Sequence, residues 1–371
     1  MNDLTLPINP VQNNPTSQTQ SLSVLAVNPT LANQAETKVT TLVKPSKVKS
    51  AKRLADTKEL SHQDWLAVRN TGIGGSDAAA ACGLNPFMSM LELWLIKTGR
   101  QNPDLSDGLM ENAYSPLYWG KALEPLIAKY YTAKTGNKVR RVNAVLQHPD
   151  PDKSFMLANL DYAVNKSEVG VLEIKTAGEH GAKLWKHGVP LYVTCQVQHQ
   201  LAVTGKQLAH VCVLICGHEA KLFEIKRDAL IINQLIHQER RFWQYVESDT
   251  PPPADASESA GKAIAQLYPN STTEKVDFSD NTTLNRWFDA LIEEKCIIDS
   301  HQKQFDLLKH QIQLAMQTAE SASFINGSIS WKKSKDSVSL DSKALLKDKP
   351  ELLDQYKQVR EGSRRFLVNA K

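Results

Sequence analysis

Acidic and basic side chains converge in the stretch from Leu157 to Lys175, LANLDYAVNKSEVGVLEIK. The stretch reads as two short strands joined by a polar turn. Alternation along the second strand places Glu173 and Lys175 on one face, and Asp161 from the first strand can join them. Two carboxylates beside an amine offer oxygen ligands for Mg²⁺ and a cation that can orient or deprotonate a water. This combination indicates hydrolysis of phosphodiesters.

The same residue types also occur on solvated sheet faces, where Asp, Glu and Lys form ordinary cross-strand pairs. A bare D…E-x-K pattern arises by chance in many chains of this length. The motif alone therefore leaves a catalytic site and a solvated sheet face both open.

A second candidate site lies in TGIGGSD, residues 71–77. The glycines lead into a short helix, whose free N-terminal N–H groups would favour an anion. Arg69 could add a bidentate guanidinium and Ser76 a hydroxyl to the same phosphate. The alternative is an ordinary turn in which Ser76 or Asp77 caps the helix.

Two further helices carry polar side chains that suit such a site. Glu124 lies early in a helix that begins near Trp119, where its charge suits the helix dipole; it is also placed to bind a metal or orient a ligand. Gln196 and Gln200 share one face of a helix predicted over 190–204. They could bond a metal-bound water or the DNA backbone.

The order of the remaining elements predicts an α/β domain over residues 53–250, with strands interrupted by helices. Three consecutive prolines mark its end. The elements predicted around the central hairpin are a strand over 138–147, a short helix over 178–187, strands over 208–216 and 221–226, and a helix from 229 to about 246.

Three other segments complete the predicted organisation. Residues 1–52 are rich in Asn, Gln, Ser, Thr and Pro, which predicts a disordered tail. Residues 251–280 are predicted to be a linker and residues 281–371 a C-terminal arm. The arm combines a long charged helix with broken heptads, a hairpin with a two-residue Asn326-Gly327 turn and a basic-aromatic end. That end is open to two interpretations, a solvated tail or a contact with DNA or a partner.

Composition narrows the class of protein. A chain of 371 residues with 41% hydrophobic residues can bury a substantial core. No apolar run reaches the length of a membrane span and no signal-peptide pattern opens the chain, so we expect a cytoplasmic protein without membrane association. The five cysteines never form C-x-x-C, which argues against disulfides, a zinc site or an iron–sulfur cluster. The net charge of +4 is compatible with nucleic acid but is not evidence for it.

Six blocks between about residues 61 and 250 add a resemblance: RNTGIGGSDAAAACGLNPF, LELWLIKTG, WGKALEP, LANLDYAV, VLEIKTA and CQVQHQLAVTG. In this order they resemble the YqaJ-like viral recombinase family, relatives of the phage lambda-type exonuclease within the PD-(D/E)-x-K nucleases. The resemblance implies a restriction-endonuclease-like core, with a mixed central β-sheet flanked by helices. The C-terminal helical arm lies outside the match.

The resemblance also implies roles at the metal site. Asp161 and Glu173 match the metal-binding acids, Lys175 the catalytic lysine and Glu124 a helical carboxylate of the family. Mg²⁺, or Mn²⁺ in its place, would then be held by Asp161 and Glu173, helped by Glu124 and the carbonyl of Ile174.

Other matching positions concern the glutamine and the end of the DNA. Gln196 matches the helical glutamine of the family, and Arg69 and Ser76 match the positions that hold the terminal 5′-phosphate. Asn159 is a departure, because the lambda-type enzyme has a hydroxyl residue two places before its metal-binding aspartate.

Family members digest linear duplex DNA from the 5′ end with Mg²⁺, leave a 3′ single strand for an annealing protein and can form toroidal trimers. The resemblance thus implies a phage- or prophage-encoded 5′-to-3′ exonuclease in a bacterial host, acting on double-stranded DNA ends as a homo-oligomer, a trimer by this resemblance. Two alternatives are a structure-specific or restriction-like endonuclease, which would cut closed circles, and a non-cleaving adaptor for DNA ends. The adaptor is disfavoured because no expected catalytic position is vacant.

Overall fold

The computed structural model describes residues 50–101, 116–165, 168–359 and 362–369. Most of the tail predicted over residues 1–52 therefore lies outside the described residues. The chain divides into two units between Leu267 and Tyr268. None of the described helices combines the length and the apolar character needed to cross a membrane.

The first unit contains eight strands and eight α-helices among its described residues. The strands are β1 (Lys52–Asp56), β2 (Val139–Arg141), β3 (Ala144–Gln147), β4 (Leu157–Ala158), β5 (Tyr162–Val164), β6 (Val171–Ala177), β7 (Leu208–Ile215) and β8 (Glu219–Lys226). The helices are α1 (His62–Asn70), α2 (Ala78–Ala81), α3 (Met90–Lys97), α4 (Pro116–Thr135), α5 (Glu179–Ala182), α6 (Leu191–Thr204), α7 (Ala229–Glu247) and α8 (Glu258–Leu267).

A five-stranded mixed sheet, in the order β2-β5-β6-β7-β8, forms the centre of this unit. Among the described strands of this sheet, β6 and β7 form the one parallel pair, and a parallel pair needs a crossover, which α5 and α6 provide. Val193 and Val197 of α6 join the core on one side of the sheet, and Ile127 and Tyr131 of α4 join the core on the other. The predicted α/β class, with a mixed central sheet flanked by helices, is confirmed.

The predicted single strand over 138–147 is wrong. β2 pairs with β5 in the large sheet, whereas β3 pairs with β1 and β4 in a separate three-stranded sheet. The first strand of the central hairpin divides in the same way, because the chain leaves the small sheet after Ala158 and enters the large sheet at Tyr162. This change of sheet turns Asp161 towards β6.

The helix predicted over 178–187 is also shorter than expected. α5 covers four residues and continues as a 3-10 turn over Lys183–Trp185. In the segment predicted as a linker, α8 packs against α3 and buries Ala260 and Ala263. Ser259 accepts a hydrogen bond from the backbone N–H of Ser89 at 2.7 Å, which ties α8 to the start of α3.

The second unit contains the long helix α9 (Thr282–Met316), the hairpin strands β9 (Ser321–Phe324) and β10 (Gly327–Ser330), and the short helices α10 (Ser342–Asp348) and α11 (Glu351–Tyr356). The hairpin was expected, but the Asn326-Gly327 turn is wrong by one residue. Gly327 pairs with Phe324, so Ile325 and Asn326 form the turn. None of these turn positions takes a positive φ, so the backbone does not use the left-handed conformation that favours Asn-Gly turns.

Candidate active site

Asp161 lies where the chain enters the large sheet. Its Oδ2 accepts a hydrogen bond from the backbone N–H of Ile174 on β6 at 2.9 Å, which fixes the carboxylate beside Glu173. Burial and the nearby charge of Glu173 raise the pKa of Asp161 well above its usual range, against the opposing effect of Lys175. The group of carboxylates therefore carries more negative charge than its protein partners offset, and a bound cation would relieve it.

Glu173 is almost fully buried, and it is held by side chains from two elements. Its Oε1 accepts hydrogen bonds from Lys175 Nζ at 2.8 Å and from Gln196 Nε2 at 2.6 Å. Its Oε2 accepts one from Gln200 Nε2 at 2.8 Å. An ionised carboxylate offers about four acceptor sites, so these contacts among the described residues leave room at Oε2 for a cation.

Lys175 completes a closed set of contacts between β6 and α6, because its Nζ also donates to Gln196 Oε1 at 2.9 Å. Burial alone would lower the pKa of Lys175, but the charges of Glu173 and Asp161 outweigh burial and raise it. Lys175 is therefore an ammonium at neutral pH. In that state it can orient a water or offset developing negative charge.

Glu124 reaches the same pocket from α4, but its nearest partner is a cation. Its Oε2 accepts a hydrogen bond from Arg141 Nη2 on β2 at 3.0 Å. Burial raises the pKa of Glu124, and Arg141 opposes that shift. Across the described ranges, no three His, Cys, Asp or Glu side chains are grouped closely enough to hold a metal by themselves. The donor set that fits Mg²⁺ is consequently two carboxylates, Asp161 and Glu173, with the Ile174 carbonyl and waters, and Glu124 nearby.

The glycine-rich loop after α1 is held against β4 by backbone hydrogen bonds. Ile73 N–H donates to the carbonyl of Phe155 at 2.6 Å, and Leu157 N–H donates to the carbonyl of Ile73 at 2.8 Å. A Cβ at Gly72 would lie only 2.4 Å from the Phe155 carbonyl oxygen. The close approach of the two backbones therefore requires glycine at this position.

We refer to Arg69 and Ser76, the pair that the sequence predicts to bind a phosphate, together as the phosphate hook. Arg69 Nη2 donates to Ser76 Oγ and to Asp77 Oδ1, both at 2.9 Å. These are its side-chain hydrogen bonds among the described residues, so the hydrogens on Nε and Nη1 are left for an anion. The guanidinium also lies over the ring of Trp65, 5.0 Å from the ring centroid.

Asp77 does not cap α2, which was one alternative from the sequence, but its side chain accepts from the N-cap Gly74 of the 3-10 turn Gly75–Asp77 that leads into α2. It precedes α2 but makes no side-chain cap bond to that helix. Its Oδ2 instead accepts from the Gly74 N–H at 3.0 Å and pairs with Lys97 Nζ at 2.8 Å. Burial alone would raise the pKa of Asp77, but the charges of Lys97 and Arg69 hold it well below its usual range.

One pocket of about 540 Å³ joins the two groups of residues. All nine side chains and backbone groups predicted for metal, catalysis and phosphate line it: Arg69, Ser76, Glu124, Asn159, Asp161, Glu173, Ile174, Lys175 and Gln196. Trp65 and Lys121 also line it and were not predicted. Their sequence positions offered a signal, since Trp65 lies one helical turn before Arg69 and Lys121 nearly one turn before Glu124.

A buried histidine behind the pocket was also missed as a site-forming residue. His199 Nδ1 lies 2.8 Å from Glu239 Oε1 on α7, and His199 Nε2 lies 2.8 Å from the carbonyl oxygen of Leu157 on β4. Both partners accept, so the doubly protonated ring satisfies both contacts. Burial alone would lower the pKa of His199, but Glu239 raises it. The pair joins α6 and α7 to the strand that precedes Asn159.

Comparisons with known proteins bear on this site. Residues 64–207 match the family model described as the YqaJ-like viral recombinase domain. The chain is 35% identical over 329 residues to the protein YqaJ of Bacillus subtilis (strain 168), which covers 86% of this chain and 98% of that protein.

Among solved structures, an alkaline exonuclease from Laribacter hongkongensis aligns with a TM-score of 0.41 and 21% identity, over 56% of this chain and 100% of that chain. A phage-related exonuclease from Haemophilus somnus 129PT aligns with a TM-score of 0.30 and 13% identity, over 50% of this chain and 99% of that chain. The match to the Bacillus protein extends over most of both chains, and the family model spans residues 64–207, which include every residue that lines the pocket. The chain therefore belongs to the YqaJ-like viral recombinase family.

Proposed function

We propose that the protein is a metal-dependent exonuclease that resects linear double-stranded DNA in the 5′-to-3′ direction and leaves 3′ single-stranded overhangs. The observation that carries this proposal is the single pocket that contains both the carboxylate–lysine group of β5 and β6 and the phosphate hook. Membership of a viral recombinase family supports a nuclease that acts on DNA.

Mg²⁺ is the proposed cofactor, with Mn²⁺ able to take its place. Asp161, Glu173 and the Ile174 carbonyl would hold it, with Glu124 as a further carboxylate. The raised pKa of Asp161 supports this assignment, because burial and the Glu173 charge make an isolated carboxylate unfavourable there. When bound, the metal supplies Lewis-acid stabilisation of the phosphoryl group.

The chain's own residues orient the reaction. Protonated Lys175, held between Glu173 and Gln196, can position the attacking water and offset charge on a phosphate oxygen. Gln196 fixes both of these side chains through its amide, since its Nε2 donates to Glu173 and its Oε1 accepts from Lys175. This accounts for glutamine at that position, because a residue without both a donor and an acceptor could not hold the two together.

The phosphate hook would set the polarity. A terminal phosphate monoester carries nearly two charges at neutral pH, whereas an internal diester carries one. Arg69 has N–H donors left for it, Ser76 adds a hydroxyl, and the Asn159 amide lines the same pocket. A substrate whose 5′-phosphate is held there presents its end to the metal site, which favours stepwise removal from the end over internal cleavage.

The proposed partners follow from the product. A 3′ overhang is the substrate of a single-strand annealing protein, and the family resemblance implies both such a partner and a homotrimer. Exposed apolar side chains on α9 provide surface for a protein contact; they include Trp287, Ile298 and Phe305. We place this reaction in the cytoplasm of a bacterial host.

Three duplex substrates test the proposal in the presence of Mg²⁺: linear DNA with 5′-phosphates, linear DNA with 5′-hydroxyls and covalently closed circles. We expect rapid digestion of the first, slower digestion of the second and no cleavage of the third. Cleavage of circles would instead support an endonuclease. Binding to ends without loss of duplex would support an adaptor.

A further inference from the structure

Lys97 lies directly behind the phosphate hook and cannot reach DNA. Its side chain is 2% exposed, compared with 10% for Asp77 and 19% for Arg69, so the three charges form a series that runs from the core to the pocket. Lys97 Nζ lies 2.8 Å from Asp77 Oδ2 and donates to the backbone carbonyl of Arg69 at 3.0 Å. It therefore contacts both the carboxylate that holds the guanidinium and the backbone of the arginine itself.

Asp77 creates an electrostatic problem for an anion site. Its carboxylate fixes Arg69 Nη2 and the Gly74 N–H, which orders the hook and the loop together. The same negative charge, 2.9 Å from the guanidinium, would cancel the charge of Arg69 and repel a phosphate. With Lys97 present, the group of Arg69, Asp77 and Lys97 keeps a net charge of one positive unit.

Stability alone does not account for these buried charges. A buried ion pair commonly contributes little net stability compared with apolar residues of similar size, because desolvation opposes the attraction. The rest of α3 shows what the core would accept at this end of the helix, since Leu93, Trp94 and Leu95 are all buried and apolar.

We propose that Asp77 and Lys97 are positioning residues of the phosphate hook, in which Asp77 fixes the Arg69 guanidinium and Lys97 offsets the charge of Asp77, so that the pocket stays positive towards a terminal 5′-phosphate. This inference rests on the proposed function, because it assumes that the hook receives a DNA end. It makes Lys97 a determinant of end selectivity without any contact between Lys97 and the substrate.

Binding in EDTA tests this without any catalysis. The affinity of the full chain for short duplexes with 5′-phosphate and 5′-hydroxyl ends is measured by fluorescence anisotropy. Selectivity is the ratio of the dissociation constant for the 5′-hydroxyl duplex to that for the 5′-phosphate duplex. Lys97→Met should lower the ratio by about ten-fold or more, as expected for weakening of a charge-assisted contact. Lys226→Met, which removes an exposed lysine on β8, is the matched control and should leave the ratio unchanged.

The double variant Asp77→Asn/Lys97→Met separates charge from packing. It removes both buried charges and returns the group to one positive unit, so its ratio should recover to within a few-fold of the wild-type ratio. A purely structural role predicts the opposite, namely a double variant at least as impaired as the single one. A folded Lys97→Met protein with the wild-type ratio would overturn the proposal, and so would a double variant that does not recover.

If Lys97→Met does not fold, the double variant is compared with Asp77→Asn, which leaves two positive charges in the group instead of one. A higher ratio in Asp77→Asn than in the double variant supports the charge balance, and equal ratios in the two variants contradict it. The wild-type ratio distinguishes failure of this inference from failure of the proposed binding of 5′-phosphate ends. A wild-type protein that binds both ends equally would overturn the hook together with this inference, whereas wild-type selectivity that survives Lys97→Met overturns this inference alone.

Discussion

At the scale of single residues, the pocket combines groups whose charges are only partly balanced. Lys175 is shared between Glu173 and Gln196, and Arg141 offsets Glu124, whereas Asp161 accepts a hydrogen bond from a backbone N–H and has two carboxylates nearby. An acid that is destabilised without a ligand is a common property of functional sites. The loss of stability that the buried Asp161 carboxylate causes should be measurable in the metal-free protein.

Asp161→Asn should abolish Mg²⁺-dependent cleavage and, in EDTA, should raise the melting temperature or leave it unchanged. The folded-state pKa of Asp161 is raised, so the folded protein binds more protons than the unfolded chain between pH 3.8 and that higher pKa. Ionisation of Asp161 therefore lowers the free energy of unfolding as pH rises through that window. The amide of asparagine does not ionise, so the variant does not lose this stability.

Thermal melts of both proteins in EDTA at several pH values test this expectation. The advantage of the variant should disappear towards the acid end of the series. A variant that melts well below the wild type at neutral pH, or that still digests DNA in Mg²⁺, would show that Asp161 belongs to the scaffold.

At the scale of elements, the pocket depends on how β4, β5 and β6 meet α6. The spacing D…E-x-K was readable from the sequence because alternation within one strand is a local property. The division of 138–147 between two sheets was not, because a short apolar run does not reveal which partner strand it pairs with. Lys97 and His199 were missed for the same reason, since their partners lie 20 and 40 residues away along the chain.

The buried His199–Glu239 pair should make stability depend on pH through α6 and α7. His199 has a raised pKa in the folded protein, so its charged form contributes stability that is fully present below the unfolded-state value of 6.5 and is lost as pH rises through the folded-state value. His199→Gln leaves Glu239 buried without its cation and should lower the free energy of unfolding by about 3–5 kcal/mol.

Chemical denaturation at intervals between pH 6 and pH 9 distinguishes this from an ordinary packing defect. The difference between wild type and His199→Gln should shrink as pH rises. A difference in the free energy of unfolding that stays constant across this pH range would mean that His199 is a neutral core residue.

At the scale of the whole molecule, the pocket and its supporting elements lie within the first unit. The residues that line the pocket all precede Val197, and α8 covers α3 before the unit ends at Leu267. The sequence predicted the arm as a separate segment, but composition between residues 251 and 280 gave no sign that α8 would pack on the core. Only the burial of Ala260 and Ala263 in the folded chain reveals it.

Two truncations should therefore behave differently. A chain ending at Leu267 should keep the wild-type melting temperature and digest short duplex ends, while losing processivity on long DNA or changing its oligomer size. A chain ending at Thr250 lacks α8, exposes the face of α3 and should melt at a lower temperature. Equal melting temperatures of the two truncated chains would place α8 outside the folding unit. Processivity and oligomer size that are unchanged in the longer truncated chain would mean that residues 268–371 have another role.

The central claim, metal-dependent digestion from the 5′ end, is tested most directly by a linear duplex that carries a 5′-phosphate on one strand only and a 3′-label on each strand. In Mg²⁺, the phosphorylated strand should shorten from its 5′ end with its 3′-label retained until late, while the complementary strand, which carries a 5′-hydroxyl, shortens much more slowly. EDTA and Asp161→Asn should both stop the reaction. Early release of the 3′-labels, internal fragments, or shortening that continues in EDTA would contradict the account.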